Sequence, residues 1–133
     1  MQSVQATVHQ MTISAIHDMD TSNNDNFALT ACILHTPTVV RWIQVPDKNS
    51  GDKEQVCVLA ILLADHTGPI IFELWRKQAE YFLNLISVSQ SCCQNTPTFI
   101  SIKYFIVRSA NRPKAEFIVP TKKSLAVIVL KSN

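Results

Sequence analysis

Residues 63–82, LADHTGPIIFELWRKQAEYF, change periodicity twice, and this restricts the fold more than any other stretch. The apolar run leading into it, QVCVLAILLAD (55–65), is too continuous for a strand with one wet face. It reads as a long, bent strand covered on both sides. The run ends at Asp65, Thr67-Gly68-Pro69 supplies a tight turn, and IIFELW (70–75) leaves as the second arm of a hairpin. From Arg76 the period becomes helical, with Ala79, Phe82, Leu83 and Ile86 at i, i+3, i+4 and i+7. Strands this apolar are a liability at an open sheet edge, and a closed barrel removes the edge.

The remaining chain is mostly of period two. FALTACILHT (27–36) is a strand, which VVRWI (39–43) extends beyond Pro37, and QVPDKNSGDKE (44–54) follows as a polar loop. After the polar stretch SQSCCQNTPT (89–98), FISIKYFIVRS (99–109) is the next strand. A basic, proline-containing loop, ANRPKAEFIVPTKK (110–123), leads to the last strand, SLAVIVLKS (124–132). The expected fold is all-β: a five-stranded Greek-key barrel of the OB type, with one short helix between the third and fourth strands. At 133 residues this is one domain, 1–133, with residues 1–11 expected as a flexible N-terminal segment.

Composition narrows the function classes. With 47% apolar and 17% charged residues the chain is globular, not disordered. No run reaches the roughly 18–20 apolar residues of a membrane span, and MQSVQATVHQM is no secretory signal. An intracellular protein with no membrane partner is expected. Cys32 and Cys57 lie in strand-like runs and read as reduced thiols, and the vicinal Cys92-Cys93 pair is poorly placed for a disulfide. No spacing suits a zinc site, so neither metal nor cofactor is expected. Nor is catalysis: His9, His17, His35 and His66 have no i, i+4 partner, and Asp65 and His66 would point to opposite faces of a strand. Gly51 and Gly68 are the only glycines and form no phosphate loop.

Charge is unevenly spread. Residues 1–102 carry five Lys/Arg against nine Asp/Glu, a balance of −4. Residues 103–133 carry Lys103, Arg108, Arg112, Lys114, Lys122, Lys123 and Lys131 against Glu116 alone, a balance of +6. Such a segment suits an anionic partner, or a solvated lysine-rich strand edge.

The stretch LLADHTGPIIFELWRKQAEYF resembles the second and third strands and following helix of the single-strand-binding OB domains in the replication protein A large subunit. Asp65, Gly68, Trp75, Gln78 and Phe82 stand at the family's characteristic places. TISAIHD (12–18) is similar to the lead-in to its first strand, and FALTACILHTPTVVRW to that strand. YFIVRSAN (104–111) and EFIVPTKKSLAVIVL (116–130) resemble the fourth strand, its loop and the fifth strand. Two features depart from the pattern: the first strand lacks the glycine that often bends it, and the family's zinc-binding insertion is absent. The resemblance implies a non-catalytic module for single-stranded DNA or RNA, in a nuclear complex of replication, repair or telomere type. It places the two base-stacking aromatics on Trp75 and Phe117.

Strand alternation tests the first of these. If Ile70, Phe72 and Leu74 face the core, then Ile71, Glu73 and Trp75 face outward, which sets an indole beside Arg76 and Lys77. Bases stack on such a ring while cations neutralise phosphates; the alternative is a peripheral core residue packed under loops. Phe117, in a loop with Arg112, Lys114, Lys122 and Lys123, is either a second stacking ring or part of an apolar plug. Arg41 and Trp42 open the first long loop, where Trp42 either borders the groove or caps the barrel. Lys103 and Arg108 fall in opposite alternation classes, so only one of them is expected to face the groove. A second reading, an OB-fold protein–protein adaptor in a nucleic-acid-processing complex, fits the low overall charge.

Overall fold

The apolar run at 55–65 becomes β4 (Lys53–Asp65), the spine of the structure. One edge of β4 pairs over Val58–Asp65 with β5 (Gly68–Trp75); the other is shared between β2 (Phe27–His35) and β3 (Arg41–Pro46). The computed structural model describes residues 8–21, 24–92, 97–109 and 114–130. Within them, β6 (Thr98–Arg108) pairs with β2 on one side and β7 (Phe117–Leu130) on the other, and β7 returns parallel to β5. The circuit β2–β4–β5–β7–β6–β2 is therefore closed. This is the expected all-β, five-stranded barrel. β1 (His9–Gln10) adds a short parallel pairing to the start of β2.

The interior follows from alternation. Leu29, Leu59, Ile61, Leu63, Phe72, Leu74, Ile100, Ile102 and Phe105 are all fully buried in one cluster. The β4–β5 ladder has two ends. At its turn end, α1 (Ile13–His17) contributes the buried Ile13 and Ile16. At the open end, α2 (Lys77–Cys92) starts directly after β5 and buries Ala79, Phe82 and Ile86 against the same cluster. Burying side chains of this size contributes roughly 1.5–3 kcal/mol each.

The Asp65-x-x-Gly68 pattern is a structural clamp. Asp65 pairs with Gly68, so the turn is His66-Thr67, one position earlier than expected, and Gly68 sits at φ +145 where a side chain would be strained. The Asp65 carboxylate accepts the Thr67 N–H at 2.8 Å and, across the chain, the Ile13 N–H at 2.9 Å. The Ser14 N–H donates to the Thr67 hydroxyl at 2.9 Å. The hairpin turn thus caps the first turn of α1. His17 extends the tie, with its ring nitrogens 3.0 Å from the Ala115 carbonyl oxygen and 2.9 Å from that of Pro69.

Several boundaries differ from expectation. The segment expected as loop at 44–54 begins as β3 and ends as β4: Arg41–Pro46 forms a hairpin with Lys53–Val58, so the loop shrinks to its tip. The first strand bends without a glycine by breaking at Pro37 into β2 and β3, after a register shift between Ile33 and His35. The helix runs on to Cys92, beyond Ile86. The last strand starts at Phe117, inside the segment expected as a basic loop. Cys32 and Cys57 are free thiols, whereas the Cys92 side chain and Cys93 lie outside the described residues.

Burial raises the Asp65 carboxyl's pKa, but hydrogen bonds from the Thr67 hydroxyl, Ile13 N–H and Thr67 N–H, with His66 nearby, outweigh it and hold the group below its ordinary value. Because folding lowers this pKa, the stabilisation is complete above the ordinary value of 3.8 and fades as the pH falls through the folded-state pKa. Asp65→Asn is expected to cost about 1–3 kcal/mol at neutral pH. Urea unfolding should show that deficit at neutral pH and a smaller one in acid; a gap independent of pH would mean that the charge is not the stabilising feature.

Candidate functional site

Trp75 is the last residue of β5, and its exposure follows from the alternation that buries Ile70, Phe72 and Leu74. It remains 37% exposed. Its indole N–H donates to Glu73 Oε1 at 2.7 Å, two residues back on the same face, which fixes the ring's orientation. The chain then turns sharply: Arg76 has φ 59, its N–H donates to the Cys57 carbonyl at 2.8 Å, and its own carbonyl accepts the Ala79 N–H at 3.1 Å. The Cys57 thiol also donates to that carbonyl, at 3.1 Å. A strand that ends at Trp75 and a helix that starts at Lys77 therefore place ring and cations side by side.

Around this turn lies a depression of about 740 Å³ lined by Trp42, Trp75, Arg76, Lys77 and Lys122, with Cys57 also in its wall. Trp42, 57% exposed on β3, borders the groove and does not cap the barrel. A second depression, of about 450 Å³, is lined by Trp75, Ile106, Arg108 and Phe117. Trp75 and Gln78 belong to both, so the two form one continuous surface over β5, β7 and the end of β6. Arg41, exposed, is opposite Val58, which is itself opposite Trp75, so the three form one cross-strand row. Phe117 is not in a loop: it opens β7, half-buried, paired with both Ile71 and Arg108.

The other expected residues divide. Lys103 and Arg108 both point away from the core, contrary to the alternation argument, because a bulge at Tyr104 reverses the parity of β6. Only Arg108 reaches the second depression. The Lys103 and Lys123 ammonium groups lie 5.6 Å and 4.9 Å from the Tyr104 ring centroid. Lys114 sits apart, beside His17, and is paired with Asp20 at 3.2 Å. Arg112 lies outside the described residues.

Two of the seven cations of residues 103–133 are thereby answered by acids of residues 1–102. Lys123 pairs with Asp25 at 3.1 Å and Lys114 with Asp20. At the groove, Arg76 Nη1 meets Glu54 Oε1 at 2.9 Å. Among the described residues no ion pair engages Arg41, Lys77 or Lys122. Composition and charge do not point to Glu54, Glu73 or Gln78, although Gln78 is among the residues that carry the resemblance. Glu73 follows from alternation with Trp75, whereas Glu54 depends on a strand register that no local pattern encodes. Gln78 donates to the Thr121 carbonyl at 3.3 Å and ties the start of α2 to β7. Among the described residues no group of three or more His, Cys, Asp or Glu is placed to hold a metal ion. No helix among them is long and apolar enough to cross a membrane.

The fold and this surface define a class: a closed five-stranded barrel of the OB type whose outer wall carries two exposed indoles beside cations. No protein-family model matches the chain, and no curated protein matches it. Among solved structures, it is similar to a chain of a replication protein A heterotrimer bound to single-stranded DNA, with a TM-score of 0.65 and 14% identity over 94% of its length. The match covers 25% of that longer chain, so the present chain corresponds to one quarter of it. At this identity the likeness establishes the OB fold.

Arg76 and Glu54 are 55% and 48% exposed at their side chains, so their pair is well solvated. Glu54→Gln is expected to change stability by less than about 1 kcal/mol. Urea denaturation at neutral pH tests this, and a loss of several kcal/mol would make the pair structural.

Proposed function

We propose that this chain is a non-catalytic OB module that binds single-stranded nucleic acid, DNA in the first instance, along the groove between Trp42 and Phe117. The observation that carries the reading is Trp75: an exposed, hydrogen-bonded indole shared by two contiguous depressions, with Lys77 and Lys122 in the wall of the first. Stacking contributes on the order of 1–3 kcal/mol per base, and it needs a ring that is both accessible and held still. Arg41, Lys77 and Lys122 supply phosphate contacts, and Arg76 joins them when a phosphate displaces Glu54. The strand order round the barrel, with α2 between β5 and β6, supports the Greek-key OB arrangement, with the whole chain as one domain. The neighbour's complex with single-stranded DNA supports the choice of ligand, and a nuclear role beside other subunits in replication, repair or telomere maintenance is the corresponding setting.

A second reading, a protein–protein adaptor in such a complex, is favoured by one feature. Tyr81 on α2 and Val127 on β7 are 63% and 60% exposed beside a depression of about 490 Å³. Gel filtration at low salt separates the two readings. A shift with oligonucleotide supports strand binding; self-association with no such shift supports the adaptor.

Trp75→Ala is expected to weaken oligothymidine binding by about 1–3 kcal/mol with the fold intact. With three or four phosphates neutralised, the logarithm of wild-type affinity should fall against the logarithm of salt with a slope of about −2 to −3. Fluorescence-anisotropy titrations measure both, and wild-type affinity in the Trp75 variant would reject the assignment.

A further inference from the structure

The bulge in β6 builds a second aromatic–cationic feature that the groove does not use. Tyr104 has φ 69, a conformation that costs a bulky residue free energy and persists only when its surroundings enforce it. The register runs from Lys103↔Leu125 to Phe105↔Pro120, so Thr121, Lys122, Lys123 and Ser124 all fall opposite Tyr104. This excursion of β7 is held by its own bonds: the Thr121 N–H donates to Ser124 Oγ at 2.7 Å, and the Ser124 hydroxyl donates to the Tyr104 carbonyl. It is also tied to the groove, through Gln78 and through Lys122, which lines the first depression.

The consequence is a half-buried ring with two ammonium groups within about 6 Å, the range of a cation–π contact. Asp25 positions one of them, Lys123, at 3.1 Å. Beyond the bulge, Tyr104, Ile106 and Arg108 share the outer face of β6, and the last two line the second depression. Tyr104 is two residues from Ile106, about 7 Å along the strand. Lys122 and Lys123 therefore serve two neighbouring places, the groove and the tyrosine.

We propose that Tyr104, flanked by Lys103 and Lys123, is a further stacking position for single-stranded nucleic acid. A bound strand continues from the Trp75 groove along the outer face of β6 and crosses the Thr121–Ser124 excursion. Its bases lie on Trp75 and then Tyr104, where a base takes the place of the ammonium groups over the ring; Lys103 and Lys123, released from the ring and from Asp25, turn with Lys122 to its phosphates. This rests on the strand-binding reading above and extends the occupied length.

The test compares oligothymidines of about 4 and about 12 nucleotides, the short and long ends of what one OB fold accommodates. Tyr104→Ala should leave the short oligomer unaffected and weaken the long one about 5- to 150-fold, with Tyr104→Phe restoring it. The Lys103→Ala/Lys123→Ala double variant leaves the strained position untouched and decides the matter if the alanine variant misfolds. It should flatten the salt slope for the long oligomer by about 1–2 and leave the short one's slope unchanged. Wild-type affinity of a folded Tyr104→Ala for the long oligomer, or an unchanged slope in the double variant, overturns this inference alone. Wild-type protein that binds neither oligomer overturns the strand-binding reading and this inference with it.

Discussion

The register of β4 against β5 is the constraint on which the site depends. Leu59↔Leu74, Ile61↔Phe72 and Leu63↔Ile70 face the core, which leaves Val58↔Trp75 on the outer face. A slip of one residue would turn the indole into the barrel and expose Leu74, because strand side chains alternate strictly. Both ends of the ladder are pinned against such a slip. At the turn, Asp65 binds Thr67 and the start of α1. At the open end, the Arg76 N–H closes on the Cys57 carbonyl before the helix begins. Asp65, one of the residues on which the hairpin's resemblance to replication protein A domains rests, is thus also one that holds its register, and the aromatic surface is the product.

Charge behaves differently folded than it does along the chain. The +6 balance over residues 103–133 suggests a basic tail available to an anion. In the fold, Asp20 and Asp25 from the acidic part lie against Lys114 and Lys123, and Glu54 lies against Arg76. Solvated pairs of this kind contribute about 0–1 kcal/mol each to stability, so their larger effect is on potential. They reduce the net field over the barrel and leave local cations at Arg41, Lys77 and Lys122. A surface of that sort attracts phosphate at particular points and not broadly.

What could be read beforehand was whatever depends on local period. The outward turn of Trp75, the buried face Ala79–Phe82–Ile86 and the apolar spine at 55–65 all follow from side-chain spacing alone. What could not be read depends on long-range pairing. The Tyr104 bulge reverses parity within β6, so a two-residue count across it assigns Lys103 and Arg108 to opposite faces when both lie outside. Phe117 looks like a loop residue because proline and lysines follow it, yet pairing with Ile71 and Arg108 makes it strand. Trp42 reaches the groove because β3 pairs with the first half of β4, a contact that the polar residues 44–54 conceal.

These features weigh the two functional readings against each other on physical grounds. With few cations lining the groove, phosphate contacts alone would bind a strand weakly, since each is worth little in physiological salt. On the strand-binding reading, two accessible indoles at about 1–3 kcal/mol per stacked base would supply the larger share. A binder built this way should tolerate salt better than one relying on a broad basic face, and should lose more from removal of a ring than of a lysine. The exposed Tyr81 and Val127 lie by α2 and β7, next to Lys77 and Gln78, which the groove shares. A partner seated there would leave Trp75 uncovered but would reach Lys77 and Ser124, so a partner and a strand would compete at the start of α2 and not at the indole.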